Sequence, residues 1–314
     1  MRISAFAKYE LGLLLLACLS LVVLATLSDR FFTIDNLLNQ ARLMAEIGLV
    51  SLAMTLVIVS GGIDLSVGSI LGLSAMLLGI LWRDAGLPLP VSIACALAAG
   101  TLAGLTNGII ITRFSVPPLI ATLATLALYR GLAEGISQAR SVRGFPEWFM
   151  MLGQGQLAGV PSQVWILGLV SVLTSVALGL TKAGRAIYAI GSNEVAARFS
   201  GVAVDRVKVA IYGLSGFTAA LAAVIFVSRV TTTRSDMGTG IELDAITAVV
   251  LGGTSIFGGR GTVIGTILGL VLIQALKSGL SLAGVRGDGT VVAIGAVLIA
   301  TVFLSNLFLR HGEG

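Results

Sequence analysis

The sequence has few charged residues and almost none of the side chains that carry out catalysis. Asp, Glu, Lys and Arg make up 11% of the 314 residues, and there are one histidine and two cysteines. His311 stands near the C-terminus, and Cys18 and Cys95 lie inside apolar runs, where a thiol is usually a small core residue. No cluster of His, Cys or carboxylates has metal-site spacing. We therefore expect no enzyme activity, no metal ion and no cofactor.

Two further classes of function are excluded by the glycine-rich and basic stretches. Residues 258–261 read Gly-Gly-Arg-Gly, which is similar to part of a phosphate loop, but no Gly-Lys-Ser/Thr follows, so nucleotide binding is not expected. The net charge of +5 comes mostly from Lys and Arg in short loops between apolar runs. That distribution is typical of membrane proteins. Nucleic acid is therefore not an expected partner.

Long apolar runs dominate the chain. Hydrophobic residues make up 56% of it, the mean hydropathy is +1.01, and 40 residues are glycine. Apolar runs of membrane-spanning length indicate helices, because an isolated span must satisfy its own backbone hydrogen bonds in lipid. We predict an all-α polytopic membrane protein, one transmembrane domain (residues 1–314) with about ten transmembrane or half-spanning helices. The runs are 11–27, 37–60, 67–82, 91–111, 118–137, 165–180, 209–228, 241–251, 263–282 and 291–309.

The basic residues also predict an orientation. Five of them fall within 27 residues in the loop at about 182–208, which marks the cytoplasmic side. If every run crosses once, the N- and C-termini are cytoplasmic as well, and the polar stretch 139–162 lies on the other side. The five residues are Lys182, Arg185, Arg198, Arg206 and Lys208.

Residues 61–69, Gly-Gly-Ile-Asp-Leu-Ser-Val-Gly-Ser, place a carboxylate and glycines between two apolar runs. An Asp at the centre of a spanning helix costs roughly 2.5 to 3.5 kcal/mol, so Asp64 needs a reason. It could meet a polar substrate at a broken helix. Alternatively, it could cap the third run, with help from Ser66 and Ser69. Asn107 and Gln274, polar residues within other runs, are expected to make hydrogen bonds between helices.

Two internal similarities indicate a repeat. Gly-Ile-Asp-Leu at 62–65 returns as Gly-Ile-Glu-Leu at 240–243, five segments later, so the two sites are expected to face opposite sides of the membrane, as in an inverted repeat. The stretch 61–73 also matches 258–270, six segments later, which would make the repeat parallel unless run 241–251 is re-entrant. The inverted form is slightly favoured.

Two polar stretches suit contacts with partners. Around Glu194, the sequence predicts a cap at Ser192-Asn193, a short helix over 194–200 and a stop at Gly201. This helix suits docking to a partner protein, and the alternative is a helix lying on lipid headgroups. On the opposite side, residues 229–244 combine hydroxyl and charged side chains. They suit a polyhydroxylated ligand or an external partner, or form a plain solvated loop.

Three stretches far apart in the chain are distinctive: GGIDLSVGSILGLSA, GRAIYAIGSNEVAARFSGV and ELDAITAVVLGGTSIFGGRGTVIGTILG. Together they resemble the permease subunits of bacterial ABC importers for simple sugars, of the ribose, rhamnose and autoinducer-2 type. The resemblance covers nearly the whole chain. Branched-chain amino acid permeases share the wider superfamily but differ more in these stretches.

This resemblance implies a function and a set of partners. The chain would move a monosaccharide or a related small polyol-like solute through the bacterial inner membrane, driven by ATP hydrolysis in a cytoplasmic ABC ATPase. A second permease copy or a paralogue would complete the pathway, and a periplasmic or lipid-anchored sugar-binding protein would deliver the solute. Two alternatives stay open: a stand-alone ion-coupled secondary carrier, and an ABC permease for a non-sugar solute such as an amino acid or nucleoside.

The resemblance also places candidate residues. The loop at about 182–208 matches the loop that couples such permeases to their ATPase, and Asp64 and 242–244 match signature positions for which no ligand contact is implied. The coupling-loop candidates are Glu194, Ala196, Ala197, Arg198 and Gly201; the helix-cap or translocation-path candidates are Asp64, Ser66, Asn107, Glu242 and Asp244.

Overall fold

The computed structural model describes residues 31–138, 140–297 and 299, and these residues are mainly helical. The helices among them are α1 Ile34–Val59, α2 Val67–Arg83, α3 Leu89–Arg113, α4 Pro118–Ser137, α5 Glu147–Gln154, α6 Ser162–Leu180, α7 Lys182–Ser192, α8 Glu194–Phe199, α9 Val204–Val230, α10 Ile241–Leu251, α11 Val263–Leu282 and α12 Gly287–Val297. Two short strands, β1 Gln156–Leu157 and β2 Val160–Pro161, pair antiparallel.

Six helices of the described chain are long and apolar enough to cross a membrane: α1, α3, α4, α6, α9 and α11. They coincide with predicted runs, and α2 and α10 coincide with two shorter ones. The prediction of an all-α polytopic membrane protein is confirmed. The first predicted run, 11–27 with Cys18, lies outside the described residues, as do the end of the tenth run and His311.

The helices begin where the sequence provides starting residues. Pro88, Pro117 and Pro161 immediately precede α3, α4 and α6, where a missing backbone N–H costs nothing. The Thr262 side chain accepts a hydrogen bond from the Gly265 amide at 3.0 Å and caps α11. Start signals of this kind make the predicted and observed helix bounds agree closely.

The polar stretch 139–162, which was expected to be a loop, contains regular secondary structure. It contains α5 and the two strands, and Phe149 of α5 is fully buried. Phe145 stacks on Trp82 at the end of α2, with ring centroids 4.6 Å apart. These contacts hold the stretch against the ends of α2 and α9. We call this end of the helix bundle the α5 end, and the end at which α7 and α8 lie the α7 end.

Two half-helices meet inside the bundle. The chain leaves α1 at the α7 end, turns back through the non-helical residues 60–66 and enters α2, which runs to the α5 end. Likewise it leaves α9 at the α5 end, turns back through 231–240 and enters α10, which runs to the α7 end. At 1.5 Å per residue, α10 is about 16 Å long, half the hydrocarbon thickness of about 30 Å.

The paths through 34–83 and 204–251 are therefore antiparallel copies of one another, which favours the inverted repeat. The 62–65 and 240–243 sites enter the bundle from opposite ends, as an inverted repeat requires, but they lie closer together than the sequence suggested. Gly68 of α2 packs directly against the Glu242 carboxylate and the Gly238 carbonyl, so the starts of both half-helices lie together. The reason is that each half-helix begins inside the bundle, after a segment that has already turned back.

Close helix packing surrounds this meeting point. α3 packs along α9, where a Cβ on Gly104 would lie 2.9 Å from the Gly216 amide nitrogen and closer still to the Tyr212 carbonyl. A side chain at Gly104 would therefore push the two backbones apart. Small residues commonly allow this close approach between membrane helices.

Candidate functional site: the predicted coupling loop, the buried carboxylates and the cavity at the α5 end

The coupling loop, residues 182–208, contains one helix that the sequence analysis missed. α7 begins after Thr181, whose hydroxyl accepts a hydrogen bond from the Gly184 amide at 3.1 Å. Its buried residues, Gly184, Ile187 and Ile190, recur every three positions and form one face. That spacing is typical of an amphipathic helix and was readable in the sequence.

The short helix predicted at 194–200 is confirmed as α8, one residue shorter. The Asn193 side chain caps it by accepting a hydrogen bond from the Ala196 amide at 2.9 Å. Gly201 has φ of 82°, the left-handed conformation that ends a helix readily only with glycine. Ala197 is buried in a small cluster with Ile190 and Val204, which seats α8 between α7 and α9.

Ion pairs fix α8 to the start of α9. Arg198 contacts Asp205 through two hydrogen bonds of 2.7 and 3.1 Å, and Lys208 reaches Glu194 at 2.5 Å. The hydrogen bond to Asp205 raises the pKa of the Arg198 guanidinium above its ordinary value. The Arg198–Asp205 pair is exposed, so it orients the helix more than it stabilises it.

The outer face of α8 is apolar and exposed. Val195 and Phe199, one helical turn apart, are 64% and 89% exposed. Residues four apart lie on the same side of a helix, so they form one patch beside the ion pairs. Neither residue was predicted as part of the site, although their i, i+4 spacing was a readable signal.

Asp64 is fully buried and accepts hydrogen bonds from two elements. Its Oδ1 accepts from the Ser66 amide at 3.0 Å and the Ser66 hydroxyl at 2.6 Å, and its Oδ2 accepts from the Ser215 hydroxyl of α9 at 2.7 Å. Asn107 of α3 donates to the Ser66 hydroxyl at 2.7 Å. Three of the candidate residues, Asp64, Ser66 and Asn107, thus form one network that joins the 60–66 segment to α3 and α9.

Asp64 stands two residues before the assigned N-cap of α2, and its Oδ1 accepts a hydrogen bond from the amide two residues on, as a capping carboxylate does, so the capping role stays a prediction. Ser66 holds the N-cap position, and its side chain makes no capping hydrogen bond. The carboxylate accepts hydrogen bonds from the Ser66 amide and from the hydroxyls of Ser66 and Ser215. Ser215 was missed because a serine inside an apolar run carries no distinguishing signal.

Glu242 behaves as expected of an acidic residue that opens a helix. It lies in the first turn of α10, and its Oε1 accepts a hydrogen bond from the Gly240 amide at 3.2 Å. Asp244, two residues on, accepts a hydrogen bond from Lys277 of α11 at 2.5 Å. The structure therefore places Glu242 against Gly68 and Asp244 against α11, and neither joins the Asp64 network.

A cavity of about 1000 Å³ lies at the α5 end, between α1, α9, the 231–240 segment, α10, α11 and α12. In the part of the chain that the structure describes, every charged side chain that lines it is in an ion pair: Glu46 with Arg229 (2.7 Å), Arg234 with Asp236 (2.5 Å), and Asp244 with Lys277 (2.5 Å). Gln40 and Gln274, also in the wall, bond to each other, so Gln274 makes the expected inter-helix contact. Most of the wall is apolar, and the charged side chains that the described residues place in it balance one another.

The polar residues at 229–244 divide between this cavity and the protein interior. Thr232, Arg234, Asp236 and Asp244 line the cavity, while Thr233 is fully buried and its amide donates to the Val142 carbonyl at 2.9 Å. Across the described ranges, no group of three or more His, Cys, Asp or Glu side chains is arranged to hold a metal ion. The arrangement suits passage of a polar, uncharged solute and docking of a partner at α8.

Comparison with known proteins shows the family. A family model described as the permease component of the branched-chain amino acid transport system matches residues 36–302. The chain belongs to this family of permease components. The permease is 40% identical over 304 residues to the ribose import permease protein of Escherichia coli K12, covering 93% of this chain and 92% of that protein. No solved structure gave a significant match.

Two further relatives agree with this result. The ribose import permease protein of Bacillus subtilis strain 168 is 41% identical over 297 residues, covering 94% of the permease and 90% of that relative. The autoinducer 2 import system permease protein of Escherichia coli K12 / DH10B is 37% identical over 311 residues, covering 97% and 94%.

The expected class of protein is therefore confirmed. The permease is a multi-pass transport subunit of an ABC importer in the inner membrane, and it is not an enzyme. An importer of this kind works with an ATPase and a substrate-binding partner.

Proposed function

We propose that the permease imports a monosaccharide or a related small polyhydroxylated solute. The observation that carries this proposal is the cavity at the α5 end, whose charged side chains are all paired within the wall. A neutral solute with many hydroxyls can exchange hydrogen bonds with such a wall without leaving a buried charge unpaired. The ribose import relatives support the same class of solute.

The two ends of the helix bundle bind different partners in this proposal. The coupling loop, at about 182–208, lies on the cytoplasmic side with both termini, and the ATPase docks on α8 through the Val195–Phe199 patch and the residues Glu194, Ala196, Ala197, Arg198 and Gly201. The cavity opens towards the periplasmic or lipid-anchored sugar-binding protein. A second permease copy or a paralogue completes the pathway, and residues 1–314 act as one transmembrane domain.

The docking claim is tested by reversing charge and adding bulk on α8. Arg198→Glu turns the Asp205 pair into a repulsion, and Gly201→Val adds a side chain where nothing lies within 4 Å. Both variants should lose co-purification with the ATPase. Matched controls are Arg234→Glu, in an exposed ion pair at the α5 end, and Gly159→Val, whose φ of 78° and open surroundings resemble those of Gly201. Full assembly of both α8 variants would exclude docking there.

The solute is tested with the complete importer. In proteoliposomes that contain the permease, the ATPase and the binding protein, labelled ribose or another monosaccharide should accumulate only with ATP inside. Uptake by the permease alone, driven by an ion gradient, would instead support a secondary carrier. Binding of an amino acid or nucleoside, and of no sugar, by the partner binding protein would support a non-sugar solute.

A further inference from the structure

The end of α7 touches the junction between α1 and the 60–66 segment and also the loop 252–262 between α10 and α11, backbone against backbone. A Cβ on Gly191 would lie 2.5 Å from the Gly259 amide nitrogen and closer still to the Val59 carbonyl oxygen. Gly258 approaches Gly61, where a Cβ would lie 3.0 Å from the Gly61 Cα atom. The Gly259 amide also donates a 2.8 Å hydrogen bond to the Val59 carbonyl. We call this contact, formed by Gly61, Gly191, Gly258 and Gly259, the glycine junction.

A side-chain hydrogen bond reinforces the junction one turn earlier on α7. The Tyr188 hydroxyl donates to the Gly261 carbonyl at 2.6 Å. Burial raises the pKa of the Tyr188 phenol, so the hydroxyl keeps its proton and remains a donor. Gly261 belongs to the same loop, 252–262, as Gly258 and Gly259. α7 is therefore attached to that loop at two points.

Both segments at the junction lead to the half-helices. From Gly61, residues 60–66 lead to α2 through Asp64, which is anchored to Ser215. From Gly258 the chain leads back to α10 and forward to α11. The starts of the two half-helices also touch each other, at Gly68 and Glu242. A displacement of α7 therefore reaches both half-helices through one contact.

We infer that the glycine junction transmits movement of the coupling loop to the two half-helices, with Gly191 and Tyr188 as positioning residues. This inference rests on the proposed docking of the ATPase at α8. Because backbone meets backbone at the junction, there is no flexible side chain to absorb a displacement of α7. The Tyr188 hydrogen bond keeps the 252–262 loop in register with α7 as both move.

The test separates assembly from coupling in the reconstituted importer. Gly191→Ala adds one methyl group at the junction, and Tyr188→Phe removes only the hydroxyl. Both variants should assemble with the ATPase and keep basal ATP hydrolysis within about twofold of the unmodified protein. Stimulation of hydrolysis by the solute-loaded binding protein, and uptake, should fall roughly two- to tenfold for Tyr188→Phe, the range that corresponds to one hydrogen bond. The fall should be larger for Gly191→Ala.

Gly179→Ala is the matched control, since Gly179 lies on α6 near the same end with nothing within 4 Å of its Cβ position. It should keep full stimulation. Full stimulation and uptake in both junction variants would overturn the inference, and so would loss of assembly with Tyr188→Phe. If Gly191→Ala does not fold, Tyr188→Phe alone decides by the same criteria. Failure of the docking proposal gives a different result from failure of this inference. If the ATPase does not dock at α8, the Arg198→Glu protein still assembles with it.

Discussion

The Ser215 hydroxyl donates a 2.7 Å hydrogen bond to Oδ2 of Asp64 and ties the middle of α9 to the segment between α1 and α2. Ser66 supplies the other two donors to this carboxylate. Among the ion pairs of the described residues none includes Asp64, and hydroxyl and amide donors satisfy both of its carboxyl oxygens. We therefore interpret Asp64 as an anchor of the 60–66 segment rather than a contact for the solute.

Replacing Asp64 should show this role. Asp64→Ala leaves the Ser66 amide and two hydroxyls without their acceptor, and each buried unsatisfied group costs about 1–3 kcal/mol, so the variant should lose the folded protein in detergent. Asp64→Asn keeps an oxygen for Ser66 and should retain full transport, with a stability loss of about 1 kcal/mol. Thermal unfolding and uptake measure both. A well-folded Asp64 variant with an altered sugar preference would contradict the anchoring interpretation.

Close packing between α3 and α9 predicts a second outcome. Gly104→Ala places a methyl group against the Tyr212 carbonyl and the Gly216 amide, both backbone groups that cannot swing away. Overpacking of this kind costs about 1–3 kcal/mol. Gly131→Ala on α4, with nothing within 4 Å, should instead gain up to about 1 kcal/mol from helix propensity. Equal unfolding free energies for the two variants would refute the close approach.

The ion pair between Glu46 and Arg229 should matter for stability. Glu46 is 4% exposed, and its Oε1 lies 2.7 Å from Arg229 Nε. Breaking a buried pair on one side costs about 3–5 kcal/mol, and the partial exposure of Arg229 places Glu46→Gln near the lower figure. The double variant Glu46→Gln/Arg229→Gln should recover much of that loss.

Arg234 and Asp236 provide the matched control for this pair. Both side chains are about 60% exposed, so Asp236→Asn should change the unfolding free energy by at most about 1 kcal/mol. If Glu46→Gln were no more harmful than Asp236→Asn, the Glu46 pair would be contributing as little as a surface pair.

The proposed orientation predicts which positions a membrane-impermeant thiol reagent reaches. In a background with Cys18→Ala and Cys95→Ala, Gln156→Cys between α5 and α6 should react in intact spheroplasts. Lys182→Cys at the start of α7 should react only after the membrane is opened, because the proposed orientation places the coupling loop in the cytoplasm. Both positions are exposed in the structure, so accessibility within the protein is matched. The reverse labelling pattern would show that the permease has the opposite orientation in the membrane.

The first and last residues of the helices could be predicted closely from the sequence. The depth at which each helix lies in the membrane could not. The runs 241–251 and 263–282 have the bounds of α10 and α11, because Gly240 and Thr262 mark their starts. An apolar run of eleven residues does not reveal whether it begins at the surface or inside the bundle. For that reason the contact of Gly68 with Glu242 was not foreseen.

The same limit applies to the candidate site. Asn193 and Gly201 were readable as a cap and a stop because their roles are local to α8. The partners of Asp64 and Gly191 lie far away in the chain, and a serine or glycine in an apolar run looks the same wherever it packs. Only the tertiary structure separates Ser215 and Gly191 from the many other serines and glycines.

The pairing of every charge in the cavity wall has an electrical consequence. Among the described residues, three positive and three negative side chains line the cavity, and each has its partner there. If these pairs persist while an uncharged solute passes, no net charge crosses the membrane with the solute. A membrane potential of 100 mV does roughly 2.3 kcal/mol of work on each elementary charge that crosses, so it would do none in this step. We therefore expect the solute step to be insensitive to membrane voltage.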